Sequence, residues 1–327
     1  MKEIVFINRN SNRWKEFEDI LNSSDRDNPD KLADLFVQVT DDLSYARTFY
    51  PKGKVVKYLN NLTFRSHQLI YVNQKENKKR LKLFWIKEYP LHIYGIRKYI
   101  LYSLLILLVS VTIGVISALN DDTFVRLILG DSYVNMTLNN IDKGDPLAVY
   151  KGMNQADMFL GITFNNILVS IYAFLFGLFL SIGTAYMLFK NGVMIGAFLT
   201  FFYQNGLLGN AMLTIWIHGT LEIFAICVAG AAGIILGNSI LFPGTYGRLT
   251  SFKKGVKKSL KTIIGVLPLF VVAGFLEGFI TRYTDMPTAI RLGIILSSLA
   301  FIVWYFFILP PRLFRKITTP IYPKNNN

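Results

Sequence analysis

From residue 99 onward the sequence is divided into apolar runs, most of them about 20 residues long, the length an α-helix needs to cross the hydrocarbon core of a bilayer. Backbone polar groups in lipid are satisfied only within helices or closed barrels, and unbroken runs of this length specify helices. Spans read at 99–119, 167–189, 211–240, 262–281 and 290–309, with a shorter apolar stretch at 193–203 behind Lys190, Asn191 and Gly192. That stretch falls short of a full span, so the spacing predicts a short, shielded helix or a re-entrant hairpin. Crossing is favoured, because an element that turned back would place the basic segment 248–261 outside, against the positive-inside rule. The expected fold is therefore all-α: a polytopic membrane helix bundle of about six membrane elements, the third short or re-entrant, with an N-terminal cytoplasmic helical domain.

Charge supports this topology. The chain is 52% hydrophobic and carries a formal net charge of +14. Its basic residues flank apolar runs instead of forming a separate patch, which argues against a nucleic-acid partner and for a membrane one. Lys75, Lys78, Lys79, Arg80, Lys82, Lys87, Arg97 and Lys98 precede the first span. Arg248, Lys253, Lys254, Lys257, Lys258 and Lys261 fill a loop before the fifth, and Arg312, Arg315 and Lys316 follow the last. The positive-inside rule puts all three in the cytoplasm with both termini, where they would meet anionic lipid. The interval 120–166 carries Asp121, Asp122, Asp131, Asp142, Asp145 and Asp157 against Arg126, Lys143 and Lys151, as expected of an external segment. Within it, Phe124, Leu127 and Ile128 suggest a short helix lying on the membrane, so 120–166 reads as an external amphipathic cap.

Residues 1–95 read as a small soluble helical domain, with Trp14, Phe17, Tyr45, Tyr58 and Phe64 available for a core. Asn28 is placed to cap a helix opened by Pro29, in which Leu32, Leu35, Phe36, Val39 and Leu43 recur at helical spacing. The transmembrane domain follows at 96–317 and a flexible tail at 318–327. The first apolar run, 99–119, lies behind a polar leader and does not read as a cleavable signal peptide. Cys227 is the only cysteine, which excludes an internal disulfide and multi-cysteine zinc sites.

Two ionisable residues stand inside the fourth apolar run, His218 and Glu222, spaced to share one helix face. Ionisable groups at membrane depth cost about 2.5–3.5 kcal/mol on insertion scales and usually face protein and pair. Two roles stay open: polar glue fixing this helix to Asn165, Asn166, Asn191 or Glu277, or a relay or gate that handles protons or a substrate. The asparagines also suit capping and turns, Asn191-Gly192 above all, and Glu277 has Arg282 nearby as an interfacial ion-pair partner. Gly192, Gly196, Gly219, Gly230, Gly233 and Gly237 are candidates for close helix packing, and through it for a homodimer. Pro268 would kink the fifth span. There is no His-Glu-x-x-His helix, no Walker A loop and no Gly-x-Ser-x-Gly elbow. No catalytic residue, metal ligand set or cofactor is expected on these grounds.

Several segments together carry a resemblance: Asp41-Asp42-Leu43-Ser44-Tyr45-Ala46-Arg47, Tyr58-Leu59-Asn60-Asn61-Leu62, Phe164-Asn165-Asn166-Ile167, Asn191-Gly192-Val193-Met194-Ile195-Gly196, His218-Gly219-Thr220-Leu221-Glu222 and Glu277-Gly278-Phe279-Ile280-Thr281. The chain resembles the stage II sporulation protein M family from about Trp14 to Thr281, although Ile217 stands where the family often has proline before the histidine. The resemblance implies a non-enzymatic integral membrane scaffold that recruits envelope or peptidoglycan-remodelling proteins, in some relatives beside a cytoplasmic ATPase of the MoxR type. From a different class, the His218 and Glu222 pair allows a transporter, channel or lipid-translocating protein.

Overall fold

The computed structural model describes residues 2–22, 29–72, 78–121, 123–152 and 154–318, and among them every regular element is helical. The chain divides into two compact units, Met1–Leu81 and Lys82–Asn327. The expected Asn28 cap, Lys75, Asp122 and the tail beyond Thr318 lie outside the described residues.

Three helices build the first unit: α1 (Glu3–Asn22), α2 (Pro29–Phe49) and α3 (Lys54–Val72). Apolar residues at helical spacing give each helix one inward face, and Phe6, Trp14, Phe17, Leu35, Val39, Leu43, Leu59 and Leu62 meet in a single core. Asp42 closes one side of it, accepting from Trp14 Nε1 at 2.8 Å and pairing with Arg13. Phe64 is exposed, contrary to expectation, and Tyr58 stands at the rim, donating its hydroxyl to Glu18 at 2.8 Å. Burial and that hydrogen bond push the Tyr58 phenol up to about 12.

The second unit holds six helices long and apolar enough to cross a membrane. They are α4 (Arg80–Asn120), then, after the short α5 (Phe124–Leu129) and α6 (Asp131–Asp142), α7 (Gln155–Leu178), α8 (Ile182–Gln204), α9 (Leu208–Leu241), α10 (Arg248–Thr281) and α11 (Thr288–Ile317). The second and third differ from expectation. The chain turns at residues 179–181, in the middle of the expected second span, and the expected Asn191-Gly192 turn lies inside α8. At 23 residues α8 is neither short nor re-entrant. The real turn is made without glycine: Leu180 and Ser181 both adopt positive φ, 53° and 67°, a conformation costing about 1–2 kcal/mol per residue. Local bonds offset that cost, with Ser181 N–H donating to the Gly177 carbonyl and Ser181 Oγ to the Ile234 carbonyl, each at 3.2 Å.

The segment between the first two spans, expected to be external, ends earlier than residue 166. Asn154 caps α7 by accepting from the Ala156 N–H at 3.2 Å. This places Asn165 and Asn166 midway along a spanning helix instead of at its end. Val125, Val134 and Leu147 from the segment pack on Ala118, Ala197, Phe201, Phe202 and Ala211. The α5 helix is thus seated on the ends of α4, α8 and α9, with Leu127 left exposed. The basic residues from Arg248 to Lys261 form the first turns of α10, not a loop. Lys261 Nζ lies 3.4 Å from Glu88, and Tyr94 stacks on Phe314, so the basic parts of α4, α10 and α11 gather at one end of this unit. His92 belongs to α4 rather than to the leading domain, and its Nε2 meets Thr262 Oγ1 at 2.7 Å.

Every other spanning helix except α11 owes its position to α9, and α11 packs on it too: α4, α7, α8, α10 and α11 all touch it. Small residues make that enclosure possible. A β-carbon at Gly233 would meet the Ala173 carbonyl and Thr184, one at Gly237 would meet Ser181 and Gly177, and one at Gly230 would meet Ser103 and Leu188. Gly192 and Gly196 admit the α4 backbone to α8 in the same way. These glycines are filled within one subunit, so they provide no surface for a homodimer. Gly219 is a correction: its nearest neighbours, Ile215 and Ile223 of its own helix, lie at 3.6 and 3.9 Å, so it permits no close approach. Pro268 sits inside α10, which continues through it.

Gly233→Ala is expected to destabilise the protein by about 1–3 kcal/mol through overpacking, while Gly219→Ala is neutral or stabilising by up to about 1 kcal/mol. Thermal unfolding in detergent checks the pair, and equal shifts for both variants would contradict this assignment.

Candidate functional site

Two helices bring the ionisable residues together. His218 and Glu222 are successive turns of α9, and Glu277 comes from α10, where residues Leu276–Thr281 form a π-helical turn. Such turns are uncommon and concentrate at functional sites. The widened turn lets the Thr281 hydroxyl reach back five residues to the Leu276 carbonyl at 3.1 Å. His218 Nδ1 lies 3.0 Å from Thr281 Oγ1, and His218 Nε2 lies 3.6 Å from Glu277 Oε2. Glu277 therefore turns to His218 and not to Arg282.

These contacts assign the imidazole. The one hydroxyl proton of Thr281 is committed to Leu276, so Thr281 Oγ1 accepts and His218 Nδ1 carries the donated proton. Nε2 is left facing the carboxylates. Ser170 and Ser181 likewise give their hydroxyls to helix carbonyls, those of Ile167 and Ile234.

One ligand atom from each of His218, Glu222 and Glu277 lies within 4.8 Å of the others. They border a cavity of about 530 Å³ whose walls also include Asn165, Asn166 and Asn191. Asn166 stands beside Glu222, only 7% exposed, yet its Nδ2 makes no hydrogen bond. Asn191 Nδ2 is committed to the Met187 carbonyl at 2.8 Å, while Asn165 and Lys190 are exposed at the cavity rim. All six polar residues singled out in the sequence thus border one space. The five close-packing glycines lie outside the cavity wall, and they hold the helices that form it.

Sequence reasoning missed two participants. Thr281 stands four residues after Glu277 on the same helix face, a spacing that was readable. Tyr150 was not: it lies in a short 3-10 turn of the external segment, and its ring centroid comes within 6.0 Å of that of His218, edge to face. Burial and the nearby Glu277 carboxyl push the Tyr150 phenol well above its ordinary value, so it remains a neutral hydroxyl.

Residues 103–282, which carry α7 to α10 and every residue of this cluster, match the family model described as Stage II sporulation protein M. The chain belongs to the stage II sporulation protein M family. Membership rests on the membrane unit. Residues 4–72 match a different model, described only as a domain of unknown function (DUF8413), so the segments around Asp41 and Tyr58 fall outside the sporulation-family match. No curated protein and no solved structure matches the chain. Family membership and six apolar helices make this a multi-pass membrane protein.

Thr281→Val removes the acceptor for His218 Nδ1–H while preserving side-chain shape. It is expected to cost about 1–3 kcal/mol, the penalty of an unsatisfied buried donor, and Thr281→Ser should restore most of the loss. Thermal unfolding of both variants in one detergent is the measurement, and an unchanged midpoint in Thr281→Val would remove the proposed hydrogen-bond assignment.

Proposed function

We propose that this protein is a non-enzymatic scaffold of the bacterial cytoplasmic membrane that recruits envelope or peptidoglycan-remodelling proteins. One observation carries the reading: a six-helix membrane unit of the sporulation family is joined in one chain to a separately packed helical unit with its own core. The membrane unit does not need that second unit for its own core, which fits a docking module for an intracellular partner, an ATPase of the MoxR type among them. The gathering of basic residues at one end of the membrane unit supports a cytoplasmic location for that end and for both termini. The cap at the other end would then meet an extracytoplasmic partner. That the hydroxyls near the cluster are spent on backbone carbonyls supports a non-enzymatic role.

A second reading, transport of an ion, a proton or lipid, is favoured by one feature of the site. Glue needs satisfied pairs, whereas this cluster sets two carboxyl groups near each other beside an unpartnered amide and about 530 Å³ of space. Ionisable residues lining a midplane cavity are the usual mark of a transport path.

Gentle crosslinking of the tagged full chain in its own membranes, followed by mass spectrometry, should recover a cell-wall hydrolase or an ATPase in near-stoichiometric amount. Deleting residues 1–81 should leave membrane insertion intact and abolish recovery of the cytoplasmic partner; undiminished recovery would remove the docking role. In liposomes, the transport reading expects proton, ion or labelled-lipid flux that Glu222→Gln stops, and a flat wild-type trace rejects it.

A further inference from the structure

The cluster has the attributes of a metal centre, a role that neither reading of function assigns to it. A transition-metal site in protein needs one neutral imidazole nitrogen or more presented inward, anionic oxygens to balance the ion, and an orienting partner for the other imidazole nitrogen. His218 meets the first and third conditions together. Thr281 Oγ1 holds Nδ1–H at 3.0 Å, and Thr281 is itself fixed by the Leu276 carbonyl, so Nε2 is turned toward Glu277 in a set orientation. The carboxyl groups of Glu222 and Glu277 meet the second.

Spacing agrees with this. Ligand atoms about 2.0–2.2 Å from a tetrahedral ion are about 3.3–3.6 Å apart. Nε2 and Glu277 Oε2 are 3.6 Å apart, and the whole set lies within 4.8 Å, close to the spread that one ion would gather. Charge agrees too: two carboxylates side by side at membrane depth repel each other, and one divalent cation cancels both charges.

A separate observation points to a ligand. Asn166, only 7% exposed on a different helix, borders the same cavity beside Glu222, and its Nδ2 makes no hydrogen bond of regular geometry. A buried amide without a partner costs about 1–3 kcal/mol. A water on the open coordination position would accept from Nδ2, and the amide turned over would offer Oδ1 to the ion itself.

We propose that His218 Nε2 and the carboxylates of Glu222 and Glu277 bind one divalent transition-metal ion, with an open coordination position facing the cavity and Asn166. One nitrogen and two carboxylate ligands with a fourth position open fit Zn²⁺ best. Mg²⁺ is excluded as the preferred ion, since it favours near-octahedral oxygen coordination. The site ties α9 to α10 across the cavity that α7 and α8 complete. It stands apart from both readings of function, because equilibrium binding requires neither a partner nor flux.

The test uses the full chain in detergent with its purification tag removed, stripped with a chelator and loaded with Zn²⁺ alone. After desalting, elemental analysis should find about one equivalent per chain. Co²⁺ loading should give the visible bands of a low-coordinate nitrogen–oxygen site, and Zn²⁺ should bleach them. The isosteric variants Glu222→Gln and Glu277→Gln should each weaken binding by more than about 100-fold, and Thr281→Val, which leaves every ligand in place, by about 10–100-fold. Less than about one tenth of an equivalent in the wild type with Zn²⁺, Mn²⁺ or Co²⁺ overturns the proposal, whatever the variants do. Unchanged affinity in a monodisperse Glu222→Gln/Glu277→Gln double variant overturns it equally. If the Gln variants aggregate, Thr281→Val decides, and wild-type affinity there counts against the site.

Discussion

Ionisable side chains cannot face hydrocarbon, and the membrane unit depends on how α9 meets that constraint. A helix carrying both His218 and Glu222 is stable at membrane depth only when other helices enclose it. The enclosure is built by subtraction. Alanine and glycine on the far half of α9 let the α7–α8 turn come to backbone contact and the Ser103 side chain of α4 pack against Gly230, so this half is sealed by close packing. The half bearing His218 and Glu222 is held more openly, and a polar cavity remains there. Packing in membranes draws on van der Waals contact and not on a hydrophobic driving force. A helix with two such halves therefore concentrates its stability at one end and leaves the other free to hold polar groups.

Most of the architecture was legible because hydropathy reports burial in lipid directly. Six elements, a polar leader with its own helices and a shared helix face for His218 and Glu222 all follow from run length and helical spacing. The misplaced turn shows where that logic stops. Hydropathy marks a boundary wherever polar residues interrupt an apolar run, and Lys190-Asn191-Gly192 interrupts one. Two circumstances put polar residues there without ending the helix: Asn191 borders an internal cavity, and Gly192 admits the backbone of α4. The true turn at residues 179–181 carries no such mark, since Phe179 and Leu180 are as apolar as the spans themselves and the left-handed positions are Leu180 and Ser181 instead of glycine. What specifies it is tertiary, a bond from Ser181 to Ile234 and the gap left by Gly237. A buried stripe was present, however: Met158, Thr163, Asn166, Ser170 and Ala173 recur at helical spacing and would have extended the second span back toward residue 155.

The candidate site was legible to a different degree. Each of its ionisable members is conspicuous in an apolar run, and the asparagines were singled out for the same reason. Their convergence was readable only in part, since Asn165 and Asn166 meet His218 from the middle of α7 and not from its end. Reading Glu277 as a partner of Arg282 failed because the π-helical turn redirects α10 toward α9. Local spacing describes a regular helix and carries no warning of such a turn.

Tyr150 joins the cap to this cluster, and its position makes the two one packed body. Its ring sits edge-on to His218 while also lining an apolar cavity of about 350 Å³ beneath the cap, beside Tyr133, Phe198 and Trp216. Met194 of α8 borders both the apolar cavity and the polar one. A polar space and an apolar space thus adjoin within a single bundle, with Met194 in the wall of both. The neutral phenol of Tyr150 adds no charge to a cluster that already holds two carboxyl groups. Any displacement of the cap that moves the 3-10 turn at Ala148–Lys151 must move this ring against His218. The cap is therefore structurally coupled to the cluster by direct contact, and the coupling runs through a segment whose own sequence contains no sign of it.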